Sequence, residues 1–388
     1  MITQLKVNNW KSYSEATLYI DPLTFVIGTN ASGKSNLLDA LVCLSELSAG
    51  KAVEEVIGGL RGGSEWLIRK GYENASLAVE IEDAESIAYY EVEFRRVKNG
   101  VEICGETLKT KERELFSAKV TEDKSPVIAG SFYTGKRGNR KKLDLGRSVS
   151  VLAQVEALSE LKEVKEYSSV VVRNLKGIFM LNPIPNNMRV YSQLSQVLKQ
   201  DASNVAGVLA GLDDERRKEV EEEITKYLKR LPERDINRIW TEKVGVFETD
   251  AMLYCEEEWS PKFRNVVDAR GMSDGTLRFL AIVMALLTIR SGSLLIVEEV
   301  DNGLHPSRVV ELVQMLKTIG KERKVDVLCT THNPVVIDGL GIEMMPFIAY
   351  IRRDVEGGSV VRLVEEKDNL AKMLSTDSIG GLMIKDLL

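Results

Sequence analysis

Gly28, Gly33, Lys34 and Ser35 stand in the spacing GxxxxGK[ST] within VIGTNASGKSNLLDAL, residues 26–41. Two glycines let a backbone wrap closely around a phosphate. Successive N–H groups and a helix N-terminus then supply partial positive charge. In that setting Lys34 would reach the β- and γ-phosphates and the Ser35 hydroxyl would sit on Mg²⁺, with Asn30 inside the wrap. An apolar run, Leu23–Ile27, precedes the motif and helical spacing from Ser35 to Leu47 follows it. This context argues against a chance Gly-rich turn.

Three other stretches hold groups that could act on a phosphate. LLIVEEVDNGLHP (294–306) reads as an apolar strand ending in Glu298, Glu299 and Asp301. One such carboxylate can orient a metal's water shell, and the next can polarise an attacking water as a general base. Alone, this strand end suits a solvated turn equally well; beside a phosphate loop the metal reading is favoured. VLCTTHNPVVID (327–338) is a second apolar strand, and it ends at His332, one of only two histidines, with His305. A lone His is more often structural than catalytic. His332 at a strand end could nevertheless donate to a γ-phosphate oxygen or to the attacking water. GMSDGTLRF (271–279) opens a long apolar run. Ser273 or Asp274 suits a helix N-cap. An N-cap and an anion site share one physics, so Ser273 and Gly275 could also face a phosphate, whereas the charge of Asp274 would repel one.

The elements that must carry these groups follow from periodicity. Ile2–Val7 and Ala16–Ile20 alternate as strands, and residues 76–95 and 101–119 read as antiparallel strands. KRGNRKKLDLGR (136–147) is a basic loop. About 151–235 is mostly helical and charged, with 213–230 as an exposed helix face. After Ser273 come a helix, strand Leu294–Val297, helix Ser307–Ile319, strand Val325–Thr330 and a helix from Pro334. A hairpin (Ile348–Arg353, Ser359–Leu363) and a terminal helix close the chain. Alternating strands and helices predict a largely parallel sheet whose strand ends gather the motifs at one edge.

The chain has 388 residues, 44% of them hydrophobic, and a net charge of −6, so it can bury a large core and does not bind nucleic acid with its whole surface. Cys43, Cys104, Cys255 and Cys329 form no CxxC pair, which argues against a zinc site or disulfide scaffold and suits a reducing cytosol. The start, MITQLKVNNW, has no apolar signal core, and the longest apolar run (Phe279–Leu287) is shorter than the roughly 20 residues a bilayer needs. A cytoplasmic chain without a membrane partner is expected.

In this order the motifs resemble ABC-type ATPase heads of the SMC, RecF and OLD group. The strongest likeness is to the bacterial stand-alone AAA family ATP-binding type (AAA-15/AAA-21-like). MSDGTLR, EEVDNGLHP and TTHNP stand here where that type resembles LSDGTLR, EEPEnGLHP and TTHSP. The likeness covers most of the chain and is strongest over 1–70 and 265–340. It implies an α/β P-loop NTPase, an ABC/SMC-like head with a mixed central sheet, an antiparallel β subregion and a helical middle subdomain. The implied lobes are 1–150 (N-terminal), 151–240 (helical) and 241–388 (C-terminal).

The resemblance also implies roles. Lys11, in NNWKSY, lies near the nucleotide phosphates. Arg61, in GLRGGSEWLIRKG, is similar to an arginine-loop residue acting near a partner's nucleotide or DNA. Glu298 falls at the Walker B acid, Glu299 at the catalytic base, Asn302–His305 at a dimer-contacting loop and His332 at the switch histidine. Gln154, in SVLAQVEAL, falls at the Mg²⁺-sensing glutamine. The cofactors implied are ATP and Mg²⁺. Two ATP would lie between two heads, each phosphate loop facing the partner's SDGT, and ATP hydrolysis to ADP and phosphate would reopen the homodimer or a higher oligomer. Met272, Thr276 and Val300 depart from commoner Leu, Gln and Pro. Glu298 is one methylene longer than the usual Asp, so slow hydrolysis is expected. The long heptads of SMC arms are missing. The 56 residues after His332 are too few for a Toprim domain, so a separate effector (a nuclease or toxin, in phage defence) is the first expectation. A RecF-like DNA-binding repair ATPase, resting on the basic 136–147 loop with Lys141 and Lys142, is the second. An ABC transporter subunit is the third.

Overall fold

The structure, a computed structural model, describes the chain except residues 84–85, 122–125, 136–138, 159, 232–235, 261–262 and 386, and describes backbone only at 259, 260, 263 and 306. The chain divides into two compact units: 1–178 with 292–294 and 347–366, and 179–291 with 295–346 and 367–388.

In the first unit an eight-stranded antiparallel sheet runs in the order Glu15–Tyr19, Ile2–Asn8, Asn74–Asp83, Ser86–Val97, Gly100–Thr110, Glu114–Lys119, Val127–Tyr133, Arg140–Gly146. Its strands alternate as a half-buried sheet should. Leu77, Val79 and Ile81 on one strand, and Ala88, Tyr90, Val92 and Phe94 on the next, are buried, while the residues between them are not. The antiparallel expectation for 76–119 is met. The basic loop is corrected: its first residues, 136–138, lie outside the described residues, and Arg140–Gly146 is the edge strand, paired with Val127–Tyr133. The alternation Lys142-Leu143-Asp144-Leu145 carries that strand, and lysines suit a sheet edge because they oppose pairing with another chain.

A second strand group in this unit holds the phosphate loop. Leu23–Ile27 is buried at every position, as a strand covered on both faces must be. It pairs in parallel with Ile348–Arg353, which pairs antiparallel with Ser359–Leu363.

In the second unit the sheet order is Ile178–Leu181, Leu294–Val297, Asp326–Thr331, the first two strands each beginning with one residue of the first unit. Leu294–Val297 and Asp326–Thr331 are wholly buried. Helix Asp274–Thr288 carries the apolar run expected to be a core helix, and Phe279–Leu287 is buried. Helix Val309–Arg323 follows a 3-10 turn, and Pro334–Gly339 starts at a Pro with Asn333 as its cap. The largely helical middle holds, among others, Lys162–Lys176 in the first unit and Asp214–Leu228 in the second. It also contains the strand Ile178–Leu181, which sequence reading missed. Four apolar residues between helices carry no period that tells strand from helix. A small antiparallel sheet, built on Ile236–Val244, Asp250–Ser260 and Phe263–Asp268, was likewise not foreseen.

Glu106 of the large sheet is a buried carboxyl. It accepts from Val151 N at 2.6 Å, Leu152 N at 3.1 Å and the Tyr90 hydroxyl at 2.8 Å. Burial pushes its pKa up from 4.5 to about 7 against the pull of those donors. The folded state therefore holds a proton that the unfolded chain releases at lower pH. The stability this contributes is fully present below about 4.5 and is lost as pH rises to about 7, a change on the order of 3 kcal/mol. In denaturation across this range, the free-energy difference between wild type and Glu106→Gln should change with pH and level off above 7. A flat difference throughout would refute the shift.

Candidate functional site

The candidate residues fall into two groups, one in each unit. In the first, the phosphate loop leaves strand Leu23–Ile27 and enters helix Lys34–Ser48 at Gly33. Gly28 has φ 154°, and a Cβ there would lie 2.3 Å from Ile351 O; Gly33 has φ 119°, and a Cβ there would lie 2.4 Å from Ser359 Oγ. Both positions thus exclude a side chain, because neighbouring strands press on the loop. Lys34 is buried and its Nζ donates to Gly28 O at 2.7 Å and Thr29 O at 2.9 Å. Asn30 is exposed at the tip of the loop.

Residues distant in sequence brace the loop. Ser359 Oγ donates to Ser32 O at 2.5 Å, Arg353 Nε to Ala31 O at 3.1 Å and the Tyr13 hydroxyl to Gly33 O at 3.0 Å. Burial pushes the Tyr13 phenol well above its ordinary pKa, so it remains a donor. None of these three was singled out from sequence; serine, arginine and tyrosine carry no signal until the strands that bear them are paired. Ser32 Oγ is buried without a hydrogen-bond partner. Such an orphan fits a loop whose remaining ligand is a phosphate oxygen.

Lys11 and Arg61 are brought together, and the group that gathers them is Asp39, which was not singled out from sequence. Lys11 Nζ lies 2.5 Å from Asp39 Oδ2 and donates to Arg61 O at 2.8 Å, while Arg61 Nε is 3.6 Å from Asp39 Oδ1. Asp39 is four residues past Ser35, one helical turn into the same helix. Lys11 is largely buried and Arg61 half exposed, so the arginine is the more solvent-facing of the two.

Gln154 does not join them. Its Nε2 donates to Gly146 O at 2.8 Å and Val149 O at 2.9 Å, and its Oε1 accepts from Gly146 N at 3.2 Å. The same segment is tied to the far end of the phosphate-loop helix, where Ser150 Oγ donates to Leu47 O at 3.0 Å. That helix has 15 residues, so its two ends are about 20 Å apart. A metal on Ser35 lies beyond the reach of Gln154, and its expected metal-sensing place is corrected to a backbone clasp.

In the second unit, Glu298 and Glu299 follow the strand Leu294–Val297. Glu298 N donates to Leu181 O at 3.4 Å. Glu299 N donates to Thr330 Oγ1 at 2.9 Å, and Glu299 adopts φ 48°. That left-handed backbone is costly for a residue with a Cβ and persists only where surroundings enforce it. The Glu299 carboxylate is about half exposed and loosely held: Asn302 Nδ2 lies 3.5 Å from Oε2 and His332 Nδ1 3.7 Å from Oε1. Asp301, by contrast, is buried and accepts from Thr331 Oγ1 at 2.6 Å, so this acid joins two strand ends. His305 turns back on Ser307 Oγ at 2.8 Å.

Ser273 is the N-cap of Asp274–Thr288, its Oγ accepting from Thr276 N at 3.1 Å. The helix start rests on the Asn302–His305 loop, since a Cβ on Gly275 would lie 2.9 Å from both Gly303 O and Arg308 Nη1. Asp274 is paired with Arg189, a residue that sequence reading missed. Burial lowers the Arg278 pKa, against the pull of Asp274 and Glu299.

Mg²⁺ keeps most of its waters and takes one or two protein oxygens beside phosphate oxygens. Ser35, at the start of its helix in the first unit, and Glu298, after its strand in the second, each carry an oxygen of the kind Mg²⁺ takes. No group of three or more His, Cys, Asp and Glu able to hold a metal occurs among the described residues. No helix among them is long and apolar enough to cross a membrane.

A family model described as "AAA domain, putative AbiEii toxin, Type IV TA system" matches residues 23–338. Two Leptospira interrogans proteins (strains 56601 and Fiocruz L1-130) named "DNA replication and repair protein RecF" are each 23% identical over 346 residues, covering 82% of this chain and 90% of the relative. An SMC head bound to the C-terminal winged-helix domain of ScpA aligns with TM-score 0.54 and 13% identity, over 93% of this chain and 96% of that one. A Pyrococcus furiosus SMC head with an extended coiled coil, bound to the C-terminal domain of ScpA, aligns with TM-score 0.52 and 13% identity, over 97% and 99%. The fold is that of an SMC-like head.

Proposed function

Because this chain belongs to the AAA-domain family whose model spans residues 23–338, we propose that it is a cytoplasmic ATPase whose two copies close around two ATP and thereby switch a separate effector. The observation that carries this reading is Lys34, an ammonium buried in the phosphate loop and held by two loop carbonyls. It would exchange these for phosphate oxygens. Gly28, Asn30, Gly33 and Lys34 would hold the phosphates. Ser35 and Glu298 would hold Mg²⁺, which when bound supplies charge neutralisation on the phosphates. Glu299 would take the proton of the attacking water, and His332, 3.7 Å away, would orient that carboxylate or donate to the γ-phosphate. Lys11 and Arg61 act through Asp39, with Arg61 facing the partner. Four free cysteines agree with a reducing compartment.

The composite site is tested at Ser273. Ser273→Arg places a bulky cation at the face offered to the second copy. It should leave ATP affinity unchanged while removing ATP-dependent dimerisation in sedimentation and, with it, hydrolysis. A variant that dimerises and hydrolyses like wild type would overturn the shared site.

The family description, with its toxin and toxin–antitoxin wording, supports an effector of toxin type, and the role proposed with it is bacterial phage defence. The RecF-named relatives favour a second reading, a DNA-bound repair ATPase. Against it, the basic stretch that suggested DNA is partly neutralised within the chain: Arg140 pairs with Glu114, Lys141 with Glu160 and Arg147 with Glu102.

A further inference from the structure

Asp274 poses a physical problem for any anion arriving at the start of its helix. It is 62% exposed and directly follows the capping Ser273, where it opposes the positive end of the helix. Arg189 answers it. Its Nη2 lies 2.7 Å from Asp274 Oδ1 and also donates to Met272 O at 2.8 Å, so one guanidinium nitrogen straddles Ser273 from both sides. Arg189 is itself only 22% exposed and follows the short helix Pro185–Met188, where Nη1 takes a weaker contact with Asn186 Oδ1 at 3.4 Å. A second cation, Arg278, stands one turn further along the same helix, with its Cδ and Nε 3.4 Å from the space a Cβ on Gly303 would fill.

We propose that Arg189 is the positioning residue that makes the Ser273–Gly275 turn able to receive an anion, by cancelling the charge of Asp274 there. The inference rests on the reading that this turn faces the triphosphate bound by a second copy. An exposed ion pair contributes little to stability. Its effect here is on the field: a carboxylate a few ångströms from a multiply charged phosphate repels it strongly where water is excluded, whereas a carboxylate joined to a guanidinium presents only a dipole. Asp274 paired in this way can contact the partner without opposing its nucleotide.

The test uses the full chain, Mg²⁺ and a non-hydrolysable ATP analogue, with dimerisation followed by sedimentation and nucleotide affinity measured separately. Arg189→Ala should weaken analogue-driven dimerisation about tenfold or more and leave nucleotide affinity unchanged. Arg189→Lys should fall between it and wild type. The deciding variant is Arg189→Ala/Asp274→Asn. It removes both charges but leaves Met272 O without its donor, and it should recover dimerisation to within about threefold of wild type. A double variant as impaired as Arg189→Ala would show that Arg189 merely ties down the Met272 carbonyl, and would overturn the proposal. So would a single variant that dimerises like wild type. If wild type itself does not dimerise with the analogue, or Ser273→Arg does so normally, the shared-site reading falls and takes this inference with it.

Discussion

Lys34→Ala should abolish detectable ATP binding in a protein that remains folded. The ammonium is buried within the wrap of the loop and donates to two backbone carbonyls of that loop. Charge-assisted contacts to phosphate are stronger than neutral ones, so their loss should lower affinity by roughly a hundredfold or more. The fold should lose only about 1–2 kcal/mol, because Gly28 O and Thr29 O give up one donor while the braces from Tyr13, Arg353 and Ser359 stay in place. Calorimetric titration of ATP beside a thermal melt separates the two effects. Wild-type affinity in the variant would place the nucleotide somewhere other than this loop.

Glu299→Gln should leave ATP binding intact, cut hydrolysis by about 10²- to 10⁴-fold and accumulate the ATP-bound dimer. The amide keeps the size of the side chain and can still accept from Asn302, but it cannot take a proton from water. The backbone at φ 48° is held by Thr330 and is indifferent to the change. The loose carboxylate contacts, 3.5 Å and 3.7 Å, fit a base that must move onto a water. Single-turnover hydrolysis and sedimentation with ATP read both consequences. Hydrolysis at the wild-type rate would remove Glu299 from the role of base.

What could be read from sequence was local in its physics. The phosphate loop declares itself within eight residues, since wrapping, charge and helix start are consecutive. The acids and His332 declare themselves at the ends of buried apolar strands. What could not be read depends on packing between distant segments. Gln154 matched a pattern, yet its location is set by Ser150 bonding the far end of a helix more than a hundred residues earlier. Asp39 looks like a flaw in an apolar face until Lys11 and Arg61 converge on it. The basic stretch 140–146 was read by its charge, although its alternation already suited a strand. Arg189 lies 85 residues from Asp274 and no spacing rule links them.

The bracing of the phosphate loop has a consequence for the order of events during synthesis. The strand that leads into the loop pairs with one that starts at Ile348, and the hydroxyl that closes it is Ser359. At about 5–20 residues per second, the ribosome makes the loop roughly 15–65 s before it makes its last supports. Until then Gly28 and Gly33 have nothing to press against, and the loop is a flexible Gly-rich segment. The nascent chain is therefore unable to hold nucleotide firmly at first, and competence arrives when the segment 348–359 folds back onto the loop and the strand before it.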